Sequence, residues 1–237
     1  MLRIENLTKS YGKAKPAVSG LSLHVLPGDI YGFIGHNGAG KTTTIRAVTG
    51  ALEYDSGNIY INGHSVADDP VYCKSITAFI PDTPEPYDFF TGAQYIRFIA
   101  DIFGVEPSVR ESRMADYAGR FEMTGKLDDL ISSYSHGMKQ KIVIISALIH
   151  EPKLLVLDEP FVGLDPKAAH TLKQIMSELC ERGSAIFFST HVLDVAEKLC
   201  NKIAVIKNGE LIMDGPIEDI IASESLESFF LEVTDDE

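Results

Sequence analysis

The chain has 237 residues, of which 45% are hydrophobic and 23% are charged. This balance is typical of a globular protein with a sizeable core, and we expect one domain with subdomains. Acidic residues outnumber Lys and Arg by 34 to 21, which gives a net charge of −13. The excess disfavours nucleic acid as a partner and disfavours electrostatic attachment to an anionic bilayer.

The sequence predicts neither a targeting signal nor a membrane span. Residues 1–6 contain no apolar stretch behind a basic start, so we expect no signal peptide. The longest apolar run, residues 142–149, is interrupted by Ser146 and is too short to cross a bilayer. The three cysteines form no CxxC pair, which favours reduced thiols and the cytoplasm. If the protein works at a membrane, another chain must hold it there.

Short alternating segments predict a small antiparallel β layer. Apolar and polar residues alternate in three segments, 2–7, 21–25 and 59–61. Such alternation is typical of antiparallel strands with one solvated face. The Asn208-Gly209 pair between two later apolar segments predicts a hairpin, which we also assign to this layer.

Near-continuous apolar runs predict a second, central sheet. Residues 30–34, 154–157 and 185–188 have this composition, and helical patterns separate them along the chain. Runs of this kind are typical of parallel strands that are buried on both faces. The chain is therefore predicted to be α/β, with a mostly parallel sheet as its core.

Helical periodicity replaces the strand patterns over residues 84–150, and we interpret this segment as an inserted helical subdomain. The evidence is the spacing of Ile96, Ile99 and Phe103, together with apolar positions in residues 127–131. At the other end, residues 222–237 form a short acidic tail that includes several large apolar side chains. We expect a short docked helix or strand there, with a frayed end.

A glycine-rich loop between the run 30–34 and a predicted helix matches the pattern G-x-x-x-x-G-K-[ST] in full. Glycines let successive backbone N–H groups point at phosphate oxygens, and the helix N-terminus adds positive potential. We expect Lys41 to neutralise the β- and γ-phosphates and Thr42 to ligate Mg²⁺. The predicted nucleotide-binding residues of the loop are Gly35, His36, Asn37, Gly38, Ala39, Gly40, Lys41, Thr42 and Thr43.

Two adjacent carboxylates, Asp158 and Glu159, directly follow the apolar run 154–157. Ligands of open α/β sheets bind at the carboxyl ends of the strands. From that position Asp158 can reach Mg²⁺, and Glu159 can reach a water beyond the γ-phosphate. Taken alone, an acidic turn after a core strand is common, but its occurrence beside a phosphate-binding loop favours the functional interpretation.

Further motifs resemble those of the ATP-binding subunits of ABC transporters. Residues 134–141, Tyr-Ser-His-Gly-Met-Lys-Gln-Lys, are similar to the signature sequence Leu-Ser-Gly-Gly-Gln and its basic helix. Residues 159–165 resemble the D-loop, and residues 189–191 resemble the motif that ends in the switch histidine. The resemblance runs in the family's order from Tyr11 to His191. It implies a RecA-like P-loop NTPase fold with an antiparallel β subdomain and an inserted helical subdomain.

The signature segment can also be interpreted physically. Ser135 before a predicted helix, with Gly137 bare of a side chain, forms an anion site of hydroxyl, backbone N–H and helix dipole. The family fold implies that this site is far from the P-loop of the same chain. A head-to-tail dimer would then sandwich each ATP between one P-loop and the other chain's Ser135. Standing alone, Ser135 would be interpreted as an ordinary helix N-cap.

The sequence departs from the family pattern at two places. His136 and Tyr134 replace the usual Gly and Leu of the signature, so contact with the γ-phosphate is expected from Ser135 and Gly137. Asp82 follows the predicted strand 77–80, where the resemblance requires Gln. A carboxylate is a hard ligand, and Asp82 could hold Mg²⁺ through a water molecule.

Tyr11 and His191 complete the predicted site by resemblance. Tyr11 occupies the place where the family stacks an aromatic ring on adenine, although a surface Tyr beside a turn glycine is the simpler alternative. His191 follows the predicted strand 185–188, where an imidazole could donate to the γ-phosphate and orient the attacking water. With Glu159 as general base, these residues predict Mg²⁺-dependent ATP hydrolysis.

The resemblance implies a partner and a location as well. We expect a separate transmembrane permease, a second copy or a paralogue as dimer partner, and a cytoplasmic position on the inner face of the membrane through the permease. The sequence of residues 134–141 is most similar to that of bacterial two-component (ABC-2-type) exporters, so export is expected. Two alternatives remain: a soluble ABC ATPase that acts on a macromolecular complex, and a P-loop GTPase, which the lack of an N-K-x-D motif disfavours.

Overall fold

In a computed structural model of the chain, residues 1–12, 15–220, 225–228 and 230 are described. A six-stranded sheet has the order β10-β9-β3-β8-β7-β6, and a four-stranded sheet has the order β2-β1-β4-β5. The strands are β1 (Leu2–Lys9), β2 (Val18–Val25), β3 (Ile30–Ile34), β4 (Ser56–Ile61), β5 (His64–Ser65), β6 (Thr77–Ile80), β7 (Leu154–Asp158), β8 (Ala185–Thr190), β9 (Lys202–Lys207) and β10 (Glu210–Pro216).

The larger sheet is parallel except at one edge. Strands β3, β6, β7, β8 and β9 pair in parallel, and only β10 is antiparallel to its neighbour. Every residue of β3, β7 and β8 is buried, because the smaller sheet and one helix cover one face of these strands and further helices cover the other. This confirms the central strands that the apolar runs predicted.

The smaller sheet is antiparallel throughout, as its alternating sequence predicted. The assignment of the Asn208-Gly209 hairpin to this layer was wrong. Strands β9 and β10 extend the larger sheet, because β9 is buried along its middle four residues and pairs in parallel with β3. Both turn residues have positive φ, 52° for Asn208 and 84° for Gly209, as the hairpin signal requires.

Eight helices and two 3₁₀ turns have bounds among the described residues, and residues 226–228 and 230 are helical as well. The helices are α1 (Lys41–Val48), α2 (Pro70–Ser75), α3 (Gly92–Ile102), α4 (Pro107–Arg120), α5 (His136–Leu148), α6 (Pro166–Glu181), α7 (Leu193–Leu199) and α8 (Ile217–Ile220); the 3₁₀ turns are Thr124–Lys126 and Ile131–Ser133. Residues 127–131 are not α-helical, contrary to our expectation. They lie against the start of α3, where Ala93 N–H donates to Leu127 O and Thr91 bridges to Leu130.

Helices α3, α4 and α5 occupy the predicted helical segment, and α5 connects it to the central sheet. Ile96 of α3, Ile142 of α5 and Leu157 of β7 belong to one core cluster of buried side chains. Residues 142–148 of α5 are buried at every position. That this segment is a subdomain of one ABC ATPase domain spanning 1–237 stays a prediction.

The acidic tail lies mostly outside the described residues. Of residues 222–237, only 225–228 and 230 are described; Leu226 is fully buried, and its N–H donates to Glu197 Oε2 at 3.2 Å. Within the described part of the chain, none of the helices combines the length and the apolar character that crossing a bilayer requires.

Candidate nucleotide-binding site

The predicted phosphate loop joins the end of β3 to the first residue of α1. Gly40 has a φ of 111°, and a Cβ there would lie 2.3 Å from Ala17 O, so only glycine fits. Gly38 also has positive φ, at 83°, and a Cβ at this position would meet no atom within 4 Å. The loop is therefore an open backbone cradle held closely against residue 17.

Lys41 is the first residue of α1, and it points back across the loop. Only 6% of it is exposed. Its Nζ donates to Gly35 O at 2.6 Å and to His36 O at 3.3 Å, and it lies 3.5 Å from Glu159 Oε1. The only positive charge of the loop is thereby held at the centre of the cradle, beside the carboxylate that follows β7.

Asp158 and Glu159 stand at the carboxyl end of β7, as predicted. Asp158 is 2% exposed and accepts a hydrogen bond from Ser189 Oγ of the neighbouring strand β8. Glu159 has a φ of 47°, an unusual backbone conformation for a residue other than glycine and one that occurs preferentially at functional sites. Its N–H donates to Ser189 O at 3.2 Å and to Ser189 Oγ at 3.1 Å. Ser189 thus positions both carboxylates.

These groups surround one cavity of about 210 Å³. Its lining comprises Ala17, His36, Asn37, Gly38, Gly40, Lys41, Thr42, Thr43, Asp82, Asp158 and Glu159. The three predicted metal ligands, Thr42, Asp82 and Asp158, are all in this set. Among the described residues no three His, Cys, Asp or Glu side chains are arranged to hold a metal by themselves. Mg²⁺ bound through one or two carboxylates and substrate phosphates needs no such cluster, so the donor set fits it.

His191 lies beside Glu159 at the end of β8. Its Nδ1 is 2.9 Å from Glu159 Oε1, and among the described residues no donor makes a hydrogen bond to that buried oxygen. A buried carboxylate oxygen that lacks a donor is free to accept a hydrogen bond from a small donor such as water.

The remaining predicted residues lie outside the cavity lining. Tyr11 is 53% exposed, and Lys9 Nζ stands 5.7 Å from the centre of its ring. Ser135 is the N-cap of α5 and accepts a hydrogen bond from Met138 N–H at 3.3 Å. Gly137 faces the D-loop, and a Cβ on it would lie 3.2 Å from Gly163 O. The structure therefore does not bring the signature segment to the P-loop of its own chain.

A family model described as ABC transporter matches residues 18–162, more than half of the chain. The chain belongs to the ABC transporter family. Family membership confirms the expected resemblance, the P-loop NTPase fold and an ATP-binding subunit, and it excludes the GTPase alternative. Because ABC ATPases hydrolyse ATP, membership also implies this activity. Subunits of the family work with transmembrane components and dimerise.

Relatives and solved structures of ABC ATPases are similar over nearly the whole chain. The ABC-type transporter ATP-binding protein EcsA of Bacillus subtilis is 34% identical over 99% of this chain and 96% of its own length. The linearmycin resistance ATP-binding protein LnrL, also from B. subtilis, is 34% identical over 93% and 70%. A solved ATP-binding subunit of an ABC transporter has 34% identity and a TM-score of 0.94, with 99% of each chain covered.

Two side chains of this ABC ATPase were not predicted as site residues. Ser189 was visible only as part of a three-residue motif, and its contacts to the Asp158 carboxylate and to the main-chain N–H of Glu159 come from strand pairing across the sheet. Gln140 of α5 is fully buried and donates to Pro160 O at 3.1 Å. A polar residue within the apolar face of α5 was the available sequence signal.

Proposed function

We propose that the chain hydrolyses Mg-ATP in composite sites of a head-to-tail dimer and thereby drives export through a separate permease. The observation that carries the proposal is a single cavity within the chain, which Lys41, Asp158 and Glu159 line together with the open P-loop. A triphosphate there would meet backbone N–H groups, a buried cation and the carboxylate of Glu159 within one small volume.

Each lining residue has a role that follows from its position. When a nucleotide binds, Lys41 exchanges the neutral carbonyl oxygens of Gly35 and His36 for charged phosphate oxygens. Hydrogen bonds between charged groups are the stronger ones. The P-loop N–H groups orient the β- and γ-phosphates. Thr42 and Asp158 would hold Mg²⁺, with Asp82 as a further ligand through water, and the bound ion would supply charge neutralisation at the phosphates.

Water activation falls to Glu159, supported by His191. Glu159 Oε1 is buried and accepts no hydrogen bond from the described part of the chain, so it can accept a proton from a water aligned with the γ-phosphate. His191 Nδ1 stands 2.9 Å from this oxygen and can orient the same water or donate to the phosphate. Most of the rate enhancement would come from positioning and from the charges of Lys41 and the metal.

The dimer supplies the groups that the cavity lacks. Ser135 and Gly137 lie outside the cavity of their own chain, so they would contact a nucleotide held by a second copy or a paralogue. The ATP-binding cassette MJ0796, which has 21% identity and a TM-score of 0.82 to this chain, was solved as a dimer bound to ADP and Pi. That likeness shows the fold, and we propose the same kind of dimer for this chain. Tyr11 is assigned to adenine stacking because its position resembles that of the aromatic residue that the family stacks on adenine.

Exposed aromatic side chains offer a surface for the permease. Phe89 is 72% and Tyr87 50% exposed, and their rings stack on each other. Phe90 instead packs against the core, so it attaches the segment to the molecule. Exposed aromatic residues of this kind are typical anchors of protein interfaces. Docking there would place the chain on the cytoplasmic face of the membrane through the permease.

The direction of transport is proposed from two relatives. LnrL is a linearmycin resistance protein, and another relative, 33% identical over 94% of this chain, is the Nod factor export ATP-binding protein I of Paraburkholderia xenovorans. The second name states export and the first states resistance to linearmycin, and we take export as the direction for this chain.

The test uses Glu159→Gln, which keeps the shape of the side chain and removes the base. Purified protein with Mg-ATP should form a dimer on gel filtration and hydrolyse ATP at least 100-fold more slowly than the unaltered chain. Glu210→Gln, an exposed carboxylate in β10, is the matched control and should behave as the unaltered chain. Lys41→Ala should bind and hydrolyse poorly. Normal hydrolysis by a monomeric Glu159→Gln protein would refute both the base and the dimer.

A further inference from the structure

The first half of α5 is fastened to the loop that follows Glu159. Gln140 Nε2 donates to Pro160 O at 3.1 Å, and Lys141 Nζ lies 2.7 Å from Asp165 Oδ2. At Gly163, whose φ is 84°, a Cβ would stand 2.9 Å from both Gln140 Oε1 and His136 Cδ2. Two contacts therefore attach the helix to residues 160–165, and only glycine fits at position 163 beside the two side chains of α5.

The side-chain amide of Gln140 is held in one orientation. It is fully buried, and its Oε1 has no hydrogen-bond donor among the described residues. The carbonyl of Pro160 can only accept, so the atom that faces it must be the amide nitrogen, which sets the orientation of the amide group. An unpaired polar atom in the core lowers the free energy of unfolding. That Gln140 occupies a buried position despite this cost favours a role for its remaining hydrogen bond, the one to Pro160 O.

The contact acts on Glu159 through the main chain. Glu159 has a left-handed backbone, a conformation that persists only where its surroundings hold it. On one side its N–H is bound by Ser189 of β8. On the other side the next residue, Pro160, is bound by Gln140 of α5. The direction of the Glu159 side chain therefore depends on where α5 stands.

The same helix begins at Ser135. Ser135 caps α5, and Gln140 follows five residues later, a rise of about 7.5 Å along a stiff helix. In the proposed dimer, Ser135 contacts the nucleotide in the partner's P-loop, whereas Glu159 serves the nucleotide in its own. A shift of α5 on engagement of one nucleotide must therefore reach the carboxylate that acts on the other.

We propose that Gln140 is a positioning residue that couples the two nucleotide sites, by transmitting the engagement of Ser135 to the main chain at Glu159. This inference rests on the proposed dimer. It concerns the step between nucleotide binding and hydrolysis, and not nucleotide affinity itself. Gln140 touches no nucleotide, because it lies outside the cavity lining.

The experiment compares Gln140→Met, which keeps the volume and removes the donor, with Ser146→Ala. Ser146 is a buried residue on the same helix whose hydroxyl donates to Val143 O, so its loss is a matched control for stability. For Gln140→Met we expect unchanged equilibrium binding of a fluorescent ATP analogue, a kcat lowered by roughly three- to tenfold, and a Hill coefficient for ATP that falls towards 1. Ser146→Ala should keep the Hill coefficient of the unaltered chain.

A double-mutant cycle adds a readout that a purely structural role would not move. If the signal passes from Ser135 through Gln140, adding Gln140→Met to Ser135→Ala should slow hydrolysis by less than twofold. Gly163→Ala disturbs the same contact from the loop side. If Gln140→Met folds poorly, Gly163→Ala takes its place and should show the kinetics expected for Gln140→Met.

The outcomes separate the inference from the function on which it rests. Multiplicative effects of Ser135→Ala and Gln140→Met, or an unchanged Hill coefficient in Gln140→Met, would overturn the coupling while leaving the ATPase intact. An unaltered chain that hydrolyses ATP without cooperativity would overturn it too. Absence of both ATP hydrolysis and an ATP-driven dimer in the unaltered chain would instead refute the proposed function.

Discussion

Replacing Ser189 by Ala removes one hydroxyl that positions both carboxylates of the candidate site. The hydroxyl donates to Asp158, a side chain only 2% exposed, and accepts from Glu159 N–H. A hydrogen bond to a charged group contributes about 1.5–3 kcal/mol, and its loss leaves a buried carboxylate with one donor fewer. For a domain of this size each kcal/mol changes Tm by about 2–4 °C, so we expect Tm to fall by about 3–12 °C.

The assay is thermal unfolding followed by circular dichroism, with ATPase activity measured on the same preparations. Ser146→Ala is again the control, because its hydroxyl is equally buried but donates to a neutral carbonyl, and about 0.5–1.5 kcal/mol should be lost. Activity should fall in Ser189→Ala and stay near normal in Ser146→Ala. Equal losses of stability in the two variants, with normal activity in both, would refute the argument that Ser189 orients the carboxylates.

Three further predictions address the metal, the partner and pH. Asp82→Gln removes a carboxylate from the cavity and should raise the Mg²⁺ concentration needed for half-maximal activity more than it changes ATP affinity; an unchanged Mg²⁺ titration would place Asp82 outside the metal shell. Tyr87→Ser and Phe89→Ser should reduce co-purification with the permease at normal basal ATPase activity, whereas Ile212→Ser on the edge strand should not, and equal retention in all three would argue against docking there. Burial lowers the pKa of His150 to about 4 from an ordinary value near 6.5, so the unfolded chain binds the proton first and the free energy of unfolding should fall as pH drops from 6.5 to 4; a chemical-denaturation series over that range with equal midpoints would contradict this.

The sequence allowed the site to be predicted where its chemistry is local. The P-loop needs glycines at fixed spacing beside Lys41, and the strand before Asp158 is apolar at every position, so both could be recognised from short windows. Strand periodicity also separated the antiparallel sheet from the parallel one. These features depend on residues that are neighbours in the chain.

Prediction failed where distant residues decide the structure. The Asn208-Gly209 hairpin looked like part of a small β layer, since its turn carries no information about the strand that pairs with β9. Residues 127–131 have helical spacing, but the start of α3 binds their main chain and holds them out of a helix. Ser189 and Gln140 act across 30 and 20 residues of sequence, respectively, on Glu159 and Pro160. No pattern within one segment could have revealed those contacts.

The position of β3 has a consequence for dissecting the molecule into fragments. The strand that leads into the P-loop lies between β8 and β9, and Gly209 of the final hairpin donates its N–H to Ala39 O inside the loop. The span that matches the family, residues 18–162, ends before either neighbour of β3 begins. A fragment cut at that boundary would expose both edges of β3. Exposed strand edges favour intermolecular pairing and aggregation. The smallest autonomous unit that can present the P-loop must therefore extend at least through β10.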